Sequence, residues 1–524
     1  EDKTGHTGIT ANPIRLSPLN YLNEKEPNNS AKQTQASLDL PCAFHGIIDK
    51  AEEEDWFKFT AKKNQDIRIQ VFARRLGSPL DARISLRHPS GKHIAMNDDS
   101  NHPDSKLDHK TSEAGEYIVN IRDHLGKGGP SFTYRIEITE RSPSISASLN
   151  RADRNDSQKY KVINIPRGSN LAYKLNISRD RNSSAILPHA EKLPQGVKLH
   201  AITASKGITN IPLYFSASAD APLEAGLFPM TIRSDNGKLK APITETVEHV
   251  FVNNKGVFHK FTSDRLSLCV TEKAPFNITL TKPTVSAVQS GNIQLEIKST
   301  RSEGFDKDIT LFFPWLPPGM SAPASVKLEK GKDRINYSLS INGDCKPQTW
   351  QLCVSATADS KHGKVHLSSN LISLQIKPPY LSAKLGMAAT TQGQDSSVVC
   401  TIEHHTAFEG KAELTLQGLP DGITSTPVLI SKESTEVLIP ISVNADARSG
   451  KHNNLFCLIR IPESSQLVPH IAGQGGSLRI DSPPKNAVKV SPADAKKQTP
   501  KKPLTRLEQL RLERKQNNQH PASN

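Results

Sequence analysis

Long apolar runs, cysteines and aromatic side chains are all scarce in this chain. No apolar run reaches the roughly 18 residues that a membrane-spanning helix needs. Six cysteines in 524 residues are too few for a dense disulfide scaffold. The lack of a Gly-X-Y period and of a sustained heptad excludes collagen and a long coiled coil. Aromatics make up 5% of the chain, most of them on alternating strands, which leaves little surface for stacking a sugar or a base. No Gly-x-Ser-x-Gly elbow, His-Glu-x-x-His metalloprotease motif, Walker loop or dinucleotide fingerprint occurs. Glu403, His404 and His405 form the one dense histidine cluster. Neighbours on a strand face opposite sides, so the two imidazoles do not converge on a metal. A triad assembled from distant loops is defined by geometry rather than by sequence, and no catalytic residue is assigned.

What is present is polar and rich in turn formers, with 36 Pro and 30 Gly. At 35% hydrophobic residues the composition still supports folded domains, three or four for this length. The net charge of +14 is uneven. Residues 483–524 hold ten Lys or Arg against three Asp or Glu, a Pro/Lys-rich tail that carries half of the excess. Such a tail attracts polyanions weakly and in a salt-sensitive way, or is simply a solvated linker. Within it, Leu504, Leu507, Leu510 and Leu512 have the spacing of a short amphipathic helix. The sequence opens at Glu1 without an initiator Met or an apolar leader, which fits either a processed protein or a fragment.

Hydrophobic periodicity predicts β-structure. In Asp66–Val71 the apolar Ile67, Ile69 and Val71 alternate with polar residues, the mark of a half-buried strand. Ile84/Leu86, Tyr117/Val119/Ile121 and Phe132/Tyr134/Ile136/Ile138 repeat the pattern, with Pro/Gly turns between them. Antiparallel sheets with one wet face give this signature. Beyond residue 141 the chain repeats itself: Leu193-Pro194-Gln195-Gly196, Leu316-Pro317-Pro318-Gly319 and Leu419-Pro420-Asp421-Gly422 are one element at the spacing of an Ig-sized sandwich. Pro fixes φ and Gly permits positive φ, so these four residues make a tight corner and not a reactive group.

The expected fold class is therefore all-β and multidomain: a jelly-roll-like β-sandwich followed by tandem Ig-like β-sandwiches. The expected division is a linker or fragment start over 1–21, a sandwich over 22–140, Ig-like modules over 143–275, 276–378 and 379–482, and the basic tail. The strand-like runs of 241–275 should complete the first Ig-like module. Cys400 and Cys457 sit in strands that should point into the last core, either as a bridge between facing sheets or as two inert buried thiols. Cys345 and Cys353 are near enough in sequence to bridge neighbouring strands, whereas Cys42 and Cys269 have no evident partner.

Glu24-Lys25-Glu26-Pro27-Asn28-Asn29-Ser30-Ala31, Phe44-His45-Gly46-Ile47-Ile48 and Asp55-Trp56-Phe57-Lys58-Phe59 occur in that order, with Tyr117 and Tyr134-Arg135-Ile136 further on. This succession resembles the bacterial pre-peptidase C-terminal domain. Arg74-Arg75-Leu76-Gly77-Ser78-Pro79-Leu80-Asp81 is similar to a version found in large exported bacterial proteins, where Ig-like modules with a Leu-Pro-Pro-Gly corner follow. The resemblance implies jelly-roll-like sandwiches that accompany secreted proteases and other surface enzymes. Some of these bind calcium or help attach to polymeric substrate. It implies calcium ligands at Glu24, Glu26, Asn28 and Asn29, with Glu52 and Asp55 at a turn. Oxygen donors of this kind suit a hard cation, and Glu52, Glu53, Glu54 and Asp55 repel one another without one. The competing reading is a solvated acidic edge. Asn97, Asp98, Asp99, Ser100, Asp104 and Asp108 form a second polar group that reads first as turn residues, and Arg74-Arg75 reads as a strand-ending turn before a polyanion clamp.

The function expected is non-catalytic. The chain would be an extracellular, cell-surface or periplasmic spacer, adhesion or targeting protein that engages a cell-surface polymer or a protein partner, with structural calcium in its first domain. Two alternatives stand beside it. One is the accessory region of a secreted peptidase or polysaccharide hydrolase whose catalytic domain lies outside this chain. The other is polyanion binding through the tail.

Overall fold

The computed structural model describes residues 14–88, 90–98, 103–149, 161–251, 257–361, 363–464 and 466–483. The basic tail beyond 483, with its leucine stretch, lies outside the described residues. Among those residues the chain is all-β, with one short 3-10 turn at Arg74–Leu76. No helix among the described residues is long and apolar enough to cross a membrane. The described residues fall into two compact units: those within 14–146, 178–184 and 236–241 form the first, and those within 147–177, 185–235 and 242–483 the second.

The first unit carries ten strands: β1 (Asn20–Asn23), β2 (Leu38–Asp39), β3 (Cys42–Ile47), β4 (Glu54–Ala61), β5 (Asp66–Phe72), β6 (Ala82–Arg87), β7 (His93–Asn97), β8 (Lys106–Lys110), β9 (Gly115–Asp123) and β10 (Thr133–Glu140). They form two five-stranded sheets, β1-β3-β10-β5-β8 and β2-β4-β9-β6-β7. From β3 to β6 successive strands alternate between the sheets, so each one's apolar face meets the other sheet. Ile67, Ile69 and Val71 of β5 and Ile136 and Ile138 of β10 pack against Phe57 and Phe59 of β4 and Val119 and Ile121 of β9, all in one core. Their alternation is the one read from the sequence. Each fully buried side chain of this size stabilises the fold by about 1.5–3 kcal/mol. The parallel pairing Asn20↔Cys42 to Asn23↔His45 carries β1 back into residues expected to be linker.

Sheets of 14, 9, 3 and 4 strands make up the rest of the described chain. Lys240–Phe251 pairs with Ser144–Leu149 through Ala147↔Ile243, and Arg265–Thr271 pairs with Val162–Pro166 and with Ala225–Ser234.

The three Leu-Pro-x-Gly elements are structurally equivalent. Gly196, Gly319 and Gly422 have φ of 77°, 82° and 81°. Their carbonyls accept from the N–H of Ser218, Asn342 and Asn444 at 2.9, 2.8 and 2.9 Å. A Cβ on any of the three would press on Ala221, Cys345 or Ala447. Cys345 thus takes the place of a small corner residue, and all six cysteines are unpaired thiols. Cys400 and Cys457 are fully buried in the last core, as strand parity led us to expect for their direction.

Candidate metal centre

In β4 the buried positions are Asp55, Phe57, Phe59 and Ala61, while Trp56, Lys58 and Thr60 point outward. Strand parity therefore drives a carboxylate into the row of core side chains, and Asp55 is 0% exposed. The chain before β2 supplies its neighbours. Glu24 directly follows β1, its N–H donating to His45 O at 2.8 Å while Oε1 accepts from Ile47 N–H at 2.7 Å. Glu26 projects beside it. One oxygen from each of Glu24, Glu26 and Asp55 lies within 4.8 Å of the others.

Among the described residues no lysine, arginine or histidine forms an ion pair with any of the three. The nearest donor is Tyr134 on β10, whose hydroxyl is 2.6 Å from Asp55 Oδ2 and 3.1 Å from Glu24 Oε2. One phenolic proton faces two carboxylates. Burial, and then the charge of Glu24, pushes the Asp55 carboxyl up to about 8, against the pull of the Tyr134 hydrogen bond. Burial also raises Glu24 and lifts the Tyr134 phenol well above its ordinary range. A second positive centre, either a proton or a cation, is what the cluster lacks.

Asn28, fully buried, completes it. With the amide turned so that Nδ2 faces inward, it donates to Asp55 Oδ1 at 3.1 Å and Glu26 Oε1 at 2.8 Å, and the cluster is held by hydrogen bonds. With Oδ1 inward, acceptor faces acceptor, an arrangement that a cation or a carboxyl proton stabilises. Three carboxylates and one carboxamide oxygen fit a hard cation such as calcium, with water filling the remaining positions of its shell.

Of the six expected ligands, then, four converge. Asn29 is exposed, and its Nδ2 donates to Glu26 Oε2 at 3.3 Å, so it orients a carboxylate without facing the others. Glu52 does not join them. It has φ 60°, its N–H donates to Gly126 O at 3.0 Å, and its carboxylate lies over Gly126. Asp55 is not a turn residue but part of β4, so the two ends of the expected turn motif diverge. Sequence reasoning missed two members, Tyr134 and Gly46. A Cβ on Gly46 would collide with the Glu24 carboxylate and the Tyr134 hydroxyl. Both lie inside the motifs quoted above, yet nothing local shows that they meet.

The second acidic group disperses. Asn97 Oδ1 accepts from Lys106 N–H at 3.0 Å, and Asp98 lies 3.4 Å from His124. Asp104 accepts from the Arg74 N–H at 2.7 Å and pairs with Arg75 at 2.5 Å, while Asp108 pairs with Arg68 at 2.8 Å. Asp99 and Ser100 lie outside the described residues. Arg75 also stacks on Phe72 with its guanidinium 4.8 Å from the ring centre, and Arg74 is 3.4 Å from Asp81. Asp104 and these arginines brace the 3-10 turn.

No protein-family model matches the chain. A stretch of 105 residues is 34% identical to a probable subtilase-type serine protease of Deinococcus radiodurans, spanning 20% of this chain and 14% of that protease. Among solved structures, the pre-peptidase C-terminal domain of collagenase from Bacillus anthracis is 14% identical and is covered completely by 24% of this chain, at a TM-score of 0.17. A Salmonella alpha-2-macroglobulin is 10% identical over 84% of this chain and 40% of its own, at a TM-score of 0.22.

Proposed function

We propose that this chain is a non-catalytic, exported multidomain sandwich protein of the cell surface, periplasm or extracellular space, serving as spacer, adhesion or targeting unit. Its first sandwich holds a structural calcium ion between Glu24, Glu26, Asn28 and Asp55. The observation that carries the calcium reading is Asp55 itself, a fully buried carboxylate within 4.8 Å of two others with no cationic partner among the described residues. Burying charge without compensation is costly, and a cation shared by all three removes the cost. When bound, the ion supplies charge neutralisation and cross-linking and no chemistry on a substrate. The protein's own groups fix its place: the Ile47 N–H and the Tyr134 hydroxyl orient Glu24, and strand β4 orients Asp55. Calorimetric titration of the chelator-treated full chain tests this reading. Saturable uptake of about one calcium per chain supports it, and none at millimolar calcium refutes it.

A second reading is favoured by the 34% identity to a stretch of the subtilase-type protease: these modules are the accessory region of a secreted peptidase or polysaccharide hydrolase whose catalytic part lies elsewhere. Both readings expect no hydrolysis of casein or glycans by this chain alone, and a measured turnover would defeat both. The basic tail would add weak polyanion affinity. Retention on heparin should then fall with salt and disappear on truncation at 482, and retention that survives truncation would assign it to the folded modules.

A further inference from the structure

Two of the chain's three tryptophans meet at one depression of the second unit. Trp315 lies in the connection after the strand Ile309–Phe312, directly ahead of the Leu316–Gly319 corner, and Trp350 lies on the strand Thr349–Leu352. Their ring centroids are 6.2 Å apart with planes at 57°. Trp350 is buried and its Nε1 donates to Lys346 O at 3.3 Å, so it forms a fixed floor. Trp315 is half-buried, and its indole N–H has no hydrogen-bond partner among the described residues.

The cavity measures about 280 Å³, and none of its lining residues is Asp, Glu, Lys or Arg, although such residues make up 23% of the chain. His200 lines it too. Its Nε2 lies 2.8 Å from Ser216 Oγ, and burial, then Lys198, lowers its pKa below the ordinary value, which keeps the imidazole neutral at pH 7. Gln351 Nε2 donates to Ser373 Oγ at 2.9 Å and keeps its carbonyl oxygen available. The Gln348 carboxamide and the Thr203 hydroxyl have no partner among the described residues.

An uncharged recess with an indole wall and several unspent hydrogen-bonding groups selects its ligand by elimination. No lining residue offers an anion a counter-charge. A wholly apolar ligand would cover Gln348 and the Trp315 N–H without pairing them, which costs free energy. A pyranose ring matches both features, since one face is C–H and the rim is hydroxyl, and one ring suits a recess of this size. We propose that this depression binds one ring of a neutral saccharide, stacked on Trp315 and hydrogen-bonded by Gln348. The site is separate from the cation centre and does not depend on it.

The test uses the full chain carrying Trp56→Phe, in which Trp315 and Trp350 are the only indoles left to report. Indole emission is followed during titration with cellohexaose, maltohexaose and hexa-N-acetylchitohexaose, and separately with heparin and a deca-proline peptide. A saturable change with at least one neutral hexasaccharide is expected at millimolar concentration or below. Added Trp315→Ala or Gln348→Ala should each weaken it about tenfold. The Gln348 side chain has no hydrogen bond to lose, and its backbone carbonyl keeps the Ile376 N–H in the variant, so its effect is not one of folding. No response to all three sugars at about 10 mM, an undiminished response in both variants, or saturation by heparin or deca-proline alone would overturn the proposal.

Discussion

The Tyr134 hydroxyl lies 2.6 Å from Asp55 Oδ2, joining a strand of one sheet to a strand of the other at the buried end of an acidic cluster. That bond holds Asp55 toward its charged form while burial holds it toward the neutral one, and burial is the larger influence. The folded carboxyl, at about 8, therefore stands above its unfolded value near 4. Its contribution to stability is complete below about pH 4 and is lost as pH rises toward about 8, by at most about 1.4 kcal/mol for each pH unit. In chelator, the protection factor of the strand β4 amides, with the intrinsic rise of exchange with pH removed, should fall over that window. Calcium should flatten the dependence, because it replaces the proton, and its affinity should rise with pH until about 8. Tyr134→Phe should extend that loss to higher pH and cost about 1–3 kcal/mol, since the carboxylate loses its donor. A protection factor that is independent of pH in chelator would contradict this assignment.

The corner glycines separate two costs of a side chain. Gly319 has φ 82° with Cys345 Cα 2.6 Å from a built Cβ, whereas Gly331 has φ 72° and open space. Gly331→Ala should cost about 1–2 kcal/mol, the backbone strain alone. Gly319→Ala should cost at least about 1 kcal/mol more, because backbone must move. Denaturant midpoints of the full-chain variants measure the difference, and equal losses would mean that the corner is not tightly packed.

The module division is open to limited proteolysis. Early cuts are expected near residues 141 and 378 and just after 482, where the sequence places few core residues. Early cleavage spread evenly through 22–140 and 276–482 would defeat it.

The strands of the first sandwich were legible because Ile67, Ile69 and Val71, like Ile136 and Ile138, obey a period of two that backbone geometry enforces. The Leu-Pro-x-Gly corners were legible because φ and close approach both demand glycine. The cation cluster was only half legible. Asp55 shares parity with Phe57 and Phe59, which marks it as inward-facing. Nothing near Glu52 reveals the positive φ that turns it toward Gly126, and nothing near Tyr134 shows that β10 carries its hydroxyl to Asp55. Trp315 and Trp350 escaped for the same reason: scarcity of aromatics says nothing of where two of them meet. Contacts between distant strands are set by sheet pairing, which local spacing does not encode.

The most direct measurement of the central claim is hydrogen exchange of strand β4 in the full chain, with and without calcium, for the wild type and for Glu26→Gln/Asp55→Asn. At free calcium 100 times Kd, binding to the folded state alone contributes about 2.7 kcal/mol, so wild-type β4 amides that exchange through opening of the first unit should slow about 100-fold. Magnesium should do much less, because its small octahedral shell fits a cluster of carboxylates poorly. The double variant should retain its metal-free protection, relieved of like-charge repulsion, and lose most of the calcium response. Wild-type protection that is the same in calcium and in chelator would show that Glu24, Glu26 and Asp55 hold protons and hydrogen bonds, not a metal.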